Sequence, residues 1–457
     1  MFDASRFESD VIPSPYLTYF FGLSGVDVGT IGDATAAKVH ATFDQITQGK
    51  FTNPTEQWPV THHMCRNEHK SDTLNQIVSC ANLIKSRNIT TICHIGIGGS
   101  VSGTKWVSHA LSTWGFGGNH PPIVYISNHD EDHINAALKG IDIEKTLFIV
   151  VSKSGKTVEI HAILDVISSK QSNPNFYSDQ CIAITTKNSP LDRPDVMKTI
   201  TFDTGIGGRF STTSVASLLT IGLGFGYDVA DAFLTGAHLA DMAAKNHWKT
   251  NIALTQATVR YHQQLAYPGL AFVAYGHALN NMPGYMKQLI CESLGKGALL
   301  DGQWSSSNHA PLFMEGVGPD AQHSFFQQLH QGAGIIPVEF TSCAATTPNQ
   351  EHMLRQIIGQ MVALSSGDPQ SSPTLACTGN RPSTLLLLHS LTPEAMGYMV
   401  ATMENRVVFE GLMHHINPFD QPGVELGKRV TEAIDQPGSD AEKAFKQVAT
   451  FLAQHVE

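Results

Sequence analysis

The feature that most constrains this chain is a repeated alternation of short, unbroken apolar runs with helical patterns. Runs at residues 91–95, 122–126, 146–151, 181–185 and 199–202 are rich in Ile, Val, Thr and Phe, and helix-like segments such as 104–111 and 156–168 separate them. Continuous apolar strands that alternate with helices are buried on both faces, which predicts a mainly parallel sheet covered by helices. A long helical stretch follows from 214 to about 264, and the alternation then restarts. Residues 270–275, 335–340 and 384–388 read as strands of a second sheet, with helices at 283–294, 322–329, 352–364 and 393–407. Residues 365–383 read as loop, and 427–457 as helix broken at Gln436-Pro437-Gly438. The expected fold class is α/β: two αβα sandwich domains with mainly parallel sheets, plus helical N- and C-terminal segments. The expected boundaries are 1–60, 61–245, 246–410 and 411–457.

A chain of 457 residues is too long for one ordinary domain. The 29 Lys and Arg against 40 Asp and Glu give a net charge of −11, which argues against a nucleic-acid footprint and obliges any anion site to carry its own donors. The seven cysteines show no Cys-x-x-Cys spacing, so neither a disulfide framework nor a zinc knuckle is expected. MFDASRFESD lacks the basic and then apolar blocks of a signal peptide. Two uncharged stretches, 210–227 and 261–286, are too polar or too broken by Pro to span a bilayer. A soluble, cytoplasmic protein is expected.

Five segments carry possible chemistry. Residues 94–100, HIGIGGS, turn from a strand into a helix, where backbone N–H groups can hold an anion and glycine lets it approach. The G-x-G-x-x-G spacing is incomplete and no acidic residue follows at dinucleotide distance, which argues against a nicotinamide cofactor. Residues 151–159, VSKSGKTVE, place the hydroxyls of Ser152, Ser154 and Thr157 at a helix start, a set that suits a phosphate monoester. Ordinary helix capping would use the same residue types. At 207–211, GGRFS, glycines flank Arg209 and let its head lie against a ligand. At 313–323, FMEGVGPDAQH, Glu315 can be a general base or simply a carboxylate in a glycine-rich loop. The dense loop at 416–428, INPFDQPGVELGK, ends in Lys428. The pairs His62-His63 and His414-His415 are given no metal role, because neighbours on an extended segment point to opposite faces.

These five segments, in this order, resemble the phosphoglucose isomerase family. So do RPSTLLLLHSLTPEAMGYMVATMENRVVFEGLMHHINPFDQPGVELGK at 381–428, QHSFFQQLHQG at 322–332, YMKQLICESLGK at 285–296 and NPTEQWPVTHHMCR at 53–66. The resemblance spans roughly 50–430 and implies the sugar-isomerase fold. It implies interconversion of glucose 6-phosphate and fructose 6-phosphate through ring opening and a cis-enediolate, without a metal or redox cofactor. It matches Gly99 and Ser100 to the turn that contacts phosphate, and Ser152, Ser154 and Thr157 to the phosphate loop. Arg209 matches the cation that steadies the enediolate, and Glu315 the proton-shuttling base. Lys428 and Gln421 match residues near the ring oxygen and the C1 end. His352 is the candidate for a histidine that the family takes from the other subunit, and Glu159 for the acid that orients it, so a homodimer is implied.

Three departures bear on this. The phosphate loop SKSGKTVEI has Gly155 and Lys156 where the family has an aromatic residue and a threonine. One extra residue separates Glu315 from Gln322, so either the loop bulges and Glu315 still reaches its substrate, or Asp320 takes part; Glu315 is favoured. A single histidine replaces the usual pair before the following helix. The alternatives are an isomerase of another phosphosugar and a sugar-phosphate-binding regulator without catalysis.

Overall fold

Three strands of the first sheet, TICHI, TLFIVV and CIAIT, are buried at every position, so each can be covered on both faces. The computed structural model describes residues 10–31, 33–368 and 372–455. Those up to Pro418 form one unit, and Phe419 onward forms a second.

Along the first unit, β1 (Val11–Pro13), β2 (Leu17–Phe20), α1 (Asp33–Thr47) and α2 (Lys70–Ile84) precede the alternating region. That region runs β3 (Thr91–Ile95), α3 (Ser102–Thr113), β4 (Ile123–Ile126), α4 (Glu131–Leu138), β5 (Thr146–Val151), α5 (Val158–Ser169), α6 (Phe176–Gln180), β6 (Cys181–Thr185) and β7 (Lys198–Thr201). The described strands form an all-parallel sheet in the order β4-β3-β5-β6-β7. Helix α5 buries Ile160, Ile163, Leu164 and Ile167, the i, i+3, i+4, i+7 stripe of one helical face, against Phe148 and Val150 of β5.

The middle of the unit is helical: α7 (Val215–Phe225), α8 (Tyr227–Ala243) and α9 (Ile252–Ala266). Apart from half-buried Val215, α7 is buried throughout. It is capped by the Ser214 hydroxyl and stops at Gly226, whose φ of +105° suits glycine. The second sheet uses β8 (Gly269–Tyr275), α10 (Met282–Leu294), β9 (Leu312–Gly318), α11 (Phe326–Gln331), β10 (Val338–Cys343), α12 (Pro348–Ser366), β11 (Ser383–Leu388) and α13 (Pro393–Met413). Its order is β1-β2-β11-β10-β8-β9, parallel from β11 to β9 and antiparallel at β1 and β2.

Two elements depart from the sequence expectation. The first sixty residues contribute an antiparallel hairpin as well as a helix, so the chain's start completes the second sheet. Residues 312–318 are a strand and not a glycine-rich loop, which places Glu315 on the sheet's open edge. His414 and His415 also differ: they lie in the turn after α13, not on an extended segment.

Charged groups tie the interior together. Buried Arg66 reaches Asp241 at 2.5 Å and also pairs with Glu404, which accepts from the Tyr285 hydroxyl at 2.9 Å. Burial still pushes the Glu404 carboxyl up to about 7. Arg406 grips Glu339 in a two-bond fork at 2.7 and 2.8 Å. The second unit holds α14 (Pro422–Ile434) and α15 (Asp440–His455). Among the described residues, no helix is long and apolar enough to cross a membrane, and no group of three or more His, Cys, Asp or Glu could hold a metal ion.

Candidate active site

The first turn is locked from below. Buried His94, on β3, contacts the Ser100 carbonyl through Nε2 at 2.7 Å and the Thr220 hydroxyl through Nδ1 at 2.8 Å. Burial holds its imidazole down at about 4, so it is neutral at physiological pH. Above it, Gly99 packs so closely on the Gly208–Arg209 backbone that a Cβ there would collide with main-chain atoms. Glycine is required here by approach of one loop to another. Half-buried Ser100 closes the turn.

In the second turn, the Ser152 and Thr157 hydroxyls face each other at 3.1 Å. Thr157 occupies the N-cap position of α5, yet its side chain makes no capping bond, so the sequence alternative of simple capping does not describe it. Ser154 accepts instead from the Lys156 N–H at 3.2 Å. Gly155 has φ +63° and sits against Ser189, which explains why this position can take no aromatic residue in this loop conformation. Glu159 is exposed in the first turn of α5.

Arg209 is 1% exposed, on a turn between β7 and α7. Its Nε donates to Ser293 Oγ at 2.7 Å, Nη1 to Glu292 Oε2 at 3.3 Å and Nη2 to the Pro418 carbonyl at 2.5 Å. Glu292 and Ser293 both belong to α10.

The same helix meets Glu315, whose Oε1 accepts from Lys287 Nζ at 2.9 Å. Strand β9 pairs with β8 in unbroken register from Leu312↔Gly269 through Glu315↔Phe272 to Gly318↔Tyr275. Glu315 therefore lies in regular strand geometry, and Pro319 and Asp320 lie in the turn that follows. Asp320 is exposed on that turn.

Sequence reasoning missed α10 as an organiser. On a helix whose Tyr285, Met286, Leu289 and Ile290 are buried, Gln288 and Glu292 form a polar stripe at i, i+4 spacing, and Lys287 lies to one side of it. Gln288 accepts from Ser102 Oγ at 2.8 Å and donates to Glu292 at 3.0 Å, so the stripe joins the glycine turn to Arg209. The polar spacing was readable, but its targets were not, because they depend on where β9 and the Arg209 turn are placed.

The remaining candidates are not gathered by such contacts. His352 is exposed near the start of α12, whose N-terminus is closed by a Thr347–Gln350 capping box. Among the described residues, no hydrogen bond or ion pair joins it to Glu159 or Glu315. In the second unit, Gln421 is the N-cap residue of α14, and Lys428 pairs with Glu425 at 2.8 Å, one helical turn apart.

The family model for phosphoglucose isomerase matches residues 76–450. The chain belongs to the phosphoglucose isomerase family. It is 32% identical over 434 residues to the glucose-6-phosphate isomerase of Borreliella afzelii, covering 86% of this chain and 82% of that one. It is 33% identical over 435 residues to that of Chlamydia pneumoniae, covering 90% and 79%. The solved glucose-6-phosphate isomerase of Chlamydia trachomatis superposes with a TM-score of 0.89 at 27% identity, covering 98% of this chain and 94% of that one. A hypothetical protein of Thermus thermophilus, at 22% identity and a TM-score of 0.69 over 89% of this chain and 97% of that one, shares the fold.

Proposed function

We propose that this family member interconverts glucose 6-phosphate and fructose 6-phosphate with the groups described above. The observation that carries the reading is that one helix, α10, contacts both a carboxylate and a buried guanidinium. Proton transfer between C2 and C1 needs that combination: a base for the carbon-bound proton, and a cation for the oxygen that becomes negative.

The phosphate sits on the Ser152, Ser154 and Thr157 hydroxyls, the N–H groups that open α5, and the Gly99–Ser100 turn. Gln421 and Lys428 act at the ring oxygen and C1 end when the ring opens. Glu315 then takes the C2 proton, the electron pair forms the C1=C2 bond, and the carbonyl π pair moves to O1. Arg209 stabilises that oxyanion. A proton then passes from O2 to O1, the O2 electron pair forms the C2=O2 bond, and the C1=C2 pair takes the proton back from Glu315 at C1, which gives the ketose. The unbroken strand register supports Glu315 over Asp320 as the base. His352, supplied by a second copy of the chain and oriented by Glu159, completes ring opening, which makes the working form a homodimer. The reading also takes the protein as a cytoplasmic glycolytic and gluconeogenic enzyme, with its two sandwich domains at 61–245 and 246–410.

The test is a coupled assay: fructose 6-phosphate is supplied, and glucose 6-phosphate is read out through its dehydrogenase. Turnover is expected. Binding of phosphosugar without turnover would favour a regulator, and turnover of a different phosphosugar would reassign the substrate.

A further inference from the structure

We propose that Lys287 is a positioning residue for the isomerisation, holding the Glu315 carboxylate on α10 in register with Arg209. The inference rests on Glu315 being the base. Among the described residues, Lys287 is the one side chain that hydrogen-bonds Glu315, through Nζ to Oε1 at 2.9 Å. Among the described residues, strand β9 is the last strand of its sheet, and no neighbouring strand lies beyond it to supply another donor. Nothing intervenes on the helix side either: a Cβ placed on Gly284 would lie 3.9 Å from Glu315 Oε2. The carboxylate thus lies against the glycine of α10 with its one ammonium partner a turn further on.

The helix itself is fixed. Tyr285, Met286, Leu289 and Ile290 are each 1% exposed or less, and the Tyr285 hydroxyl is bonded into the Arg66–Glu404 network. The same rigid rod holds Arg209 through Glu292 and Ser293. Five residues separate Lys287 from Glu292, an axial distance of about 7.5 Å. Lys287 therefore ties an exposed base to the frame that fixes the cation.

Charge is needed for this task as well as reach. The base works beside an anionic phosphosugar, in a chain whose net charge is −11. The ammonium attracts the carboxylate, and its flexible stem lets that carboxylate reach both C2 and C1. Both side chains are about half exposed, 49% for Lys287 and 42% for Glu315, so the pair adds little to folding stability. Its effect belongs in turnover.

The experiment compares wild type, Lys287→Met, Lys287→Arg and Glu315→Gln of the full chain in the coupled assay, with a melting curve for each. Lys287→Met is expected to lower kcat by roughly tenfold to a hundredfold while KM for fructose 6-phosphate stays within about twofold. Lys287→Arg is expected to restore kcat to within about threefold of wild type, and every Tm to stay within about 2 °C. A Lys287→Met kcat within about twofold of wild type overturns the proposal, as does a loss confined to KM or an arginine variant as slow as the methionine one. Glu315→Gln separates the two readings. If it still turns over, Glu315 is not the base and the role of Lys287 falls with it. If it is inactive while Lys287→Met is fully active, Lys287 alone is removed.

Discussion

Arg209 is 1% exposed, and its Nε, Nη1 and Nη2 each donate to a protein oxygen, whereas Glu315 is 42% exposed and receives one side-chain hydrogen bond from a lysine. The guanidinium lies where two loops meet so tightly that Gly99 admits no side chain. The carboxylate lies on the outer strand of a sheet. The contrast fits the role proposed for each group. A cation that stabilises a developing oxyanion works best when it needs no reorganisation as charge appears. A base that collects a proton at one carbon and returns it at the next needs freedom to move.

The largest effect expected from this contrast is at the exposed end. Glu315→Gln keeps the shape and removes the base, so kcat should fall by about a thousandfold or more with little change in KM. Its exposure predicts no loss of thermal stability. A variant that instead unfolds would show that the open strand depends on the carboxylate, and the contrast with Arg209 would fail. Near-normal turnover, with Asp320→Asn inactive, would move the base to the following turn.

At the rigid end the expected loss is structural and catalytic together. Gly99→Ala drives a methyl into the Gly208–Arg209 backbone, an overpacking that costs about 1–3 kcal/mol and displaces the guanidinium. Both Tm and kcat should drop, the latter by about a hundredfold. Gly359, mid-helix with nothing within 4 Å of an added Cβ, is the control. Gly359→Ala should be neutral or stabilise by up to about 1 kcal/mol. Equal behaviour of the two variants would mean that the loop contact at Gly99 yields freely.

A smaller effect is expected in the proposed phosphate loop, whose ligand group does not react. Ser152→Ala with Thr157→Ala should raise KM about tenfold and leave kcat within a few-fold, because hydroxyls on a non-reacting phosphate act alike on substrate and transition state. Kinetics that lose kcat and keep KM would place the phosphate elsewhere.

Much of the fold was legible because buried strands advertise themselves. Thr91–Ile95, Thr146–Val151 and Cys181–Thr185 are uninterrupted apolar runs, and the structure keeps all three. The turn at Ser152–Thr157 was legible as a turn for a related reason: hydroxyl and glycine residues stand between an apolar run and a helical pattern. Strand β9 was not legible. LFMEGVG contains two glycines and a carboxylate, which lower strand propensity, and only its seven-residue pairing with β8 overrides that. The hairpin β1–β2 was hidden by Pro13 and Pro15 around strands of three and four residues. The role of α10 was hidden because Lys287, Gln288 and Glu292 gain meaning only from partners 28, 186 and 83 positions away. Gln421 and Lys428 were readable through their motif alone, and lie in a separate unit of the chain.

The subtlest prediction concerns how the rigid end is kept rigid. His94 bonds to the Ser100 carbonyl and to Thr220 in the interior, and burial depresses its imidazole from an ordinary 6.5 to about 4. A folded-state value below the unfolded one means that folding favours the neutral ring. The stability His94 contributes is then fully present above pH 6.5 and is lost as pH falls towards about 4. A displacement of that size corresponds to about 3 kcal/mol at most. His94→Gln keeps a donor and an acceptor but does not titrate. The stability difference between wild type and this variant, from denaturant unfolding, should be flat between pH 7 and 8 and shrink steadily below about pH 6.5. The other buried histidines, His62, His63, His309 and His414, are present in both proteins and cancel. A difference that does not change with pH would mean the ring is protonated or hydrated in the native state. The glycine turn beneath Arg209 would then be softer than its contacts imply, and the contrast with Glu315 would narrow to burial of the guanidinium alone.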